Sequence, residues 1–74
     1  MPHYHFHIQE DGLFTRDDEG LDFADAASAR REAVATGAAI AHDAFVAGSA
    51  DHVTVDVRED DKRVVKISIT LDFE

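Results

Sequence analysis

Three histidines stand at alternate positions near the start of the chain, His3, His5 and His7. In an extended strand every second side chain points to the same side, so the three imidazoles share a face at about 6–7 Å spacing. Imidazole ligates zinc and other divalent transition metals, and two histidines two residues apart on a strand suit one shared ion. Asp56 or Glu59 would supply a third ligand if their strand lay alongside. The plainer reading is a polar outer face whose alternate slots hold histidine, and such a face is also pH-responsive.

Pro2 offers a different chemistry. An initiator methionine before proline is commonly removed, which would leave Pro2 as a secondary amine able to act as a general base. Small tautomerases work this way, and their chains resemble this one in opening with Met-Pro and a strand. They enter a helix directly after that strand, whereas this sequence turns into a hairpin. No convergent arginine or apolar pocket accompanies Pro2. Asp17-Asp18-Glu19-Gly20 lacks the alternating carboxylates and closing glutamate of a calcium loop and reads as a solvated acidic turn. Arg30-Arg31 reads as a solvated or i,i+4-paired helix surface. There is no glycine-rich phosphate loop, and Ser28, Ser49 and Ser68 have no recognisable base partner.

Charge narrows the partners. Lys and Arg number 7 against 16 Asp and Glu, a net charge of −9 with histidine neutral. No basic stripe exists to neutralise phosphates, which argues against nucleic acid and against an anionic membrane surface. No apolar run approaches the roughly 20 residues of a membrane span. No basic segment followed by an apolar one marks a secretory signal at the N-terminus, so a cytoplasmic protein is expected. The absence of cysteine excludes disulfides and thiolate metal sites.

The elements that would position these residues follow from periodicity. At 74 residues the chain suits a single domain, 1–74, with one small core. Tyr4, Phe6 and Ile8 alternate with the histidines, which predicts a half-buried strand. Asp11-Gly12 predicts a hairpin turn, and a short strand returns over about 13–17. A two-residue turn puts Leu13 on the core face; a longer, bulged loop puts Phe14 there. Leu21 and Phe23 approach the core before Asp25, a helix N-cap.

From Ala26 the period becomes helical. Ala26, Ala29, Ala33, Gly37, Ile40, Ala41 and Ala44 fall on one face, and Gly48 suits the C-terminal cap. Gly37 is expected at the closest approach of helix to sheet, because glycine costs about 1 kcal/mol of helix propensity against alanine. Val53, Val55 and Val57 then face inward with Thr54, Asp56 and Arg58 outward. A turn at Asp60-Asp61-Lys62 leads to a last strand over 63–73, with Val65, Ile67, Ile69, Leu71 and Phe73 inward. The order is ββαββ. It predicts an α+β fold, a four-stranded, mainly antiparallel sheet with one helix on one face. Tyr4, Phe6, Ile8, Phe23, Ala33, Ile40, Val55, Val57, Ile67, Ile69 and Leu71 are expected to form one buried cluster.

Several short motifs recur in a fixed order: Met1-Pro2 followed by Tyr4 and Phe6, Asp11-Gly12, Asp17-Asp18-Glu19-Gly20, the capping Asp25, and Ala29-Arg30-Arg31-Glu32-Ala33. In these the chain resembles a family of short bacterial proteins, the domain-of-unknown-function family numbered 6894. That family often has glycine before the arginine of the last turn, where this chain has Lys62 before Arg63. The resemblance implies the architecture and assigns no site or activity.

The composite expectation is a small, acidic, non-catalytic interaction module. A helix face of alanines fills little volume over a sheet with apolar strands, and the uncovered strip predicts a homodimer. An unidentified protein partner is compatible with this reading, and no cofactor is required. Its alternatives are a transition-metal protein using His3, His5 and His7, and a tautomerase-like enzyme using Pro2.

Overall fold

Alternation of apolar and polar residues makes β1 (His3–Glu10), which the computed structural model, describing residues 1–74, places near the middle of the sheet. β2 (Leu13–Thr15) returns beside it, with Glu10 opposite Leu13 and Gln9 opposite Phe14. The connection is therefore the two-residue turn Asp11-Gly12. It puts Leu13 on the helix side of the sheet, but beyond the helix, where 62 % of it stays exposed. Asp11 takes the left-handed conformation, φ 48°, which aspartate tolerates better than most residues.

β3 (Leu21–Asp22) is a fifth, two-residue strand absent from the four-strand expectation. It pairs with β1 further along the edge that β2 occupies, with His3 opposite Asp22. Phe23 extends this pairing by donating its N–H to the Pro2 carbonyl at 3.1 Å.

α1 (Ala26–Ala47) begins where the Asp25 carboxylate accepts the Ser28 N–H at 2.8 Å. It ends at Gly48, whose φ of 73° suits a residue without Cβ. Ala29, Ala33, Gly37, Ala41 and Ala44 are buried against the sheet. Ala26 is exposed, because the first turn overhangs the sheet. A Cβ on Gly37 would sit 3.0 Å from a Val55 methyl group and 3.4 Å from Ile69, so the closest approach lies where it was expected.

β4 (His52–Glu59) pairs antiparallel with β1 over seven residues and with β5 (Lys62–Thr70) on its other side. The order β2-β1-β4-β5 puts the three inward valines of β4 at the centre, each fully buried. The second hairpin also turns on two residues, Asp60 and Asp61, with Asp60 at φ 56°. The register slips between Val57–Val65 and Arg58–Arg63. This bulge leaves Val64 without a partner and lets both Val64 and Val65 pack against the core.

The core is Tyr4, Phe6, Ile8, Ala29, Ala33, Ala41, Val53, Val55 and Val57. Phe23, Ile40, Ile67 and Ile69 pack against it but are only partly buried. Leu71 lies beyond the end of β5, and Phe73 is 88 % exposed. The outer strand is incompletely covered because alanine side chains do not reach over it. No helix is long and apolar enough to cross a membrane.

Candidate functional site

The outer face of the sheet carries the histidines, as the alternation requires. Their rings stand in a row, with centroids 5.0 Å apart for His3 and His5 and 6.3 Å apart for His5 and His7. Their hydrogen bonds differ. His3 Nδ1 lies 2.6 Å from the Asp22 carboxylate and Nε2 lies 2.7 Å from the Glu19 carbonyl oxygen. Both partners only accept, so the two bonds are satisfied together only when the ring is protonated and both nitrogens donate. The Asp22 hydrogen bond, then the Glu19 carbonyl, hold its pKa above the usual histidine value. A ring that donates from both nitrogens has no lone pair for a metal.

His7 is tied differently. Its Nδ1 accepts the backbone N–H of Asp17 at 3.0 Å, which places the proton of the neutral ring on Nε2. Asp56 lies opposite His7 but is held by two guanidiniums, Arg63 Nε at 2.8 Å and Arg58 Nε at 3.0 Å. Burial alone would raise the Asp56 pKa; the hydrogen bonds from Arg63 and Arg58 outweigh it and hold the carboxyl below its ordinary value. Glu59 pairs with Tyr4 and so belongs to the helix side, opposite the histidines. No group of three or more His, Asp or Glu side chains is arranged to hold a metal ion.

Asp17 has a role its sequence context did not announce. One carboxylate oxygen accepts the Phe6 N–H at 3.0 Å; the other accepts from Glu19 and Gly20 at 3.1 and 3.0 Å. Burial tends to raise its pKa, but the N–H groups of Gly20, Phe6 and Glu19 lower it overall. The side chain thus substitutes for a strand partner on the β1 edge between β2 and β3. Gly20 closes the loop at φ 72°, and a Cβ there would lie 2.5 Å from the Tyr4 carbonyl oxygen and 2.6 Å from His3 Nε2. The acidic loop is therefore a clasp on β1. The signal that would have found it is the Asp17-to-Gly20 spacing of an Asx-type turn.

An open hollow of about 450 Å³ lies on this face, lined wholly by polar residues that include His5, His7, Arg16, Asp17 and Arg58. Pro2 borders neither this hollow nor the smaller one at the far end of α1. It is half-buried, and its carbonyl serves the β1–β3 pairing.

The other candidate is the free edge of β5. The Leu71 N–H donates to the Asp51 carbonyl at 2.8 Å, which extends the β4 register and fixes the phase of the strand. Val65, Ile67 and Ile69 direct their backbone groups to β4; Lys66, Ser68 and Thr70 direct theirs to solvent. Val65, Ile67 and Ile69 also put half-covered side chains beside α1.

The model of the domain of unknown function DUF6894 matches residues 3–71, and the chain belongs to that family. No curated protein and no solved structure matches it.

Proposed function

We propose that the protein is a homodimeric, non-catalytic interaction module. The observation that carries this reading is the β5 edge. It is long and unpaired, and it bears Val64, Val65, Ile67 and Ile69 in a strip that α1 only half covers. An unpaired strand of this length with an apolar flank is the kind of surface that associates.

The polar face supports a non-catalytic role. Asp17 and Asp56 are both held below the ordinary carboxylate range by the groups that bind them. A carboxylate working as a general acid or base near pH 7 needs the opposite shift. Asp17 fastens a loop and Asp56 clamps two arginines, so their hydrogen-bonding capacity serves the fold.

Light scattering at about 100 μM, well above a micromolar dissociation constant, tests the reading. The expected mass is twice that of the 8.1 kDa chain. A mass of one chain under those conditions overturns it.

A further inference from the structure

We propose that β5 pairs antiparallel with β5 of a second copy, about a two-fold axis at Ile69, and that residues 71–73 complete the paired strand. This rests on the homodimer reading above and specifies its surface and register.

The argument starts from the charge order along the strand. Lys62, Arg63 and Lys66 occupy its first half with no acid among residues 62–71, and Asp72 and Glu74 follow. A strand that begins basic and ends acidic is complementary to itself when reversed. Arg63 is already held by Asp56, whereas Lys66 and Asp72 form no ion pair within the chain.

Backbone phase then restricts the register. Only Lys66, Ser68, Thr70 and, by continuation, Asp72 turn their N–H and C=O groups outward, so even-numbered residues must pair with even-numbered residues across the new interface. Among such registers, the one centred on Ile69 sets Lys66 against Asp72 of the second copy, and Ser68 against Thr70. On the helix side it sets Ile69 against itself, Ile67 against Leu71, and Val65 against Phe73. Unlike charges meet on the polar face and apolar side chains meet on the other, the cross-strand pairs that stabilise a sheet. Phe73, 88 % exposed in the single chain, gains a neighbour on a strand surface.

The helices allow it. α1 lies over β4, with β5 on one side of it and β1 on the other. With strands about 4.8 Å apart, two such helices related by this axis run roughly 14 Å apart, wider than the ~10 Å a helix needs. The result is one continuous sheet with two helices on one side.

The chain has no cysteine, so single cysteines report on this geometry without background. Ile69→Cys and Ile67→Cys are oxidised mildly at about 100 μM, with far-UV circular dichroism confirming that each variant is folded. In the proposed register residue 69 faces its own copy in a non-hydrogen-bonded pair, about 4.5 Å between Cα atoms, within disulfide range. The Ile69→Cys variant is expected to give a covalent dimer and Ile67→Cys none. Lys66→Glu is expected to weaken association about tenfold, because the symmetric dimer contains the pair twice, and Lys66→Glu with Asp72→Lys to restore it. Cross-linking at residue 67 in place of 69, or failure of the double charge reversal to restore association, overturns the register. If light scattering still shows two chains, the homodimer reading survives that result; a single-chain mass removes both.

Discussion

Gly20→Ala isolates the clasp on β1. The left-handed conformation at φ 72° costs an alanine about 1–2 kcal/mol. The added Cβ would also lie 2.5 Å from the Tyr4 carbonyl oxygen, a backbone atom in the middle of the sheet that has no room to retreat. The loop must lift instead. Lifting strains the bonds that seat it, Phe6 N–H to Asp17, Asp17 N–H to His7, and His3 to the Glu19 carbonyl. Losing two of these at about 1 kcal/mol each brings the total to roughly 3–4 kcal/mol. That is a large part of the ~5 kcal/mol at the lower end for small domains. Urea unfolding followed by far-UV circular dichroism measures it. Gly12→Ala is the control, because a Cβ there meets nothing within 4 Å and its backbone stays outside the left-handed region. The control is expected to change stability by less than about 1 kcal/mol. Equal midpoints for the two variants would refute the clasp.

Other outcomes follow from the same contacts. The raised His3 pKa means that its stabilisation is complete below about pH 6.5 and fades as pH rises through the higher folded value. His3→Gln should therefore lower the thermal midpoint more at pH 5.5 than at pH 9; an equal loss at both would remove the imidazolium assignment. Asp56→Asn releases two guanidiniums and should cost about 1–2 kcal/mol at pH 7 after allowance for its partial exposure. Its folded pKa is depressed, so that difference is present above about pH 4 and disappears as pH falls through the lower folded value, as acid titrations of both proteins would show. With both ring nitrogens of His3 and Nδ1 of His7 engaged, calorimetric titration with zinc should give non-saturating heats, unchanged by His5→Ala; saturable binding abolished by that substitution would restore the metal reading.

Local features were the readable part of the sequence. The phases of β1 and β4, the Asp25 cap, the Gly48 terminus and the Gly37 approach each depend on a few consecutive residues. Sequence had less access to features that depend on distant pairing. The meeting of β1 with β4 is one, the β3 strand another, and the capture of Asp56 by Arg63 across the last hairpin a third. Extending the period of β5 puts Leu71 and Phe73 inward, yet they border the open hollow at the C-terminal end of α1, not the core, and Phe73 stays exposed. Glu59 was in principle decidable: an odd-numbered residue on the strand of Val53, Val55 and Val57 belongs to the helix side and is unavailable to a histidine face. The bulge at Val64 left no signal, because two adjacent valines fit either phase.

The way β1 is finished has a consequence for how many copies can assemble. Its outer edge is occupied in turn by a three-residue strand, a carboxylate and a two-residue strand, so no long stretch of that side offers backbone groups to a newcomer. Only the β5 side offers a long unpaired strand; the free edges opposite it are three and two residues long. A sheet with one receptive side and one sealed side has a valence of one. If two copies pair through β5 as proposed, association along that edge ends at a pair instead of continuing into a fibre.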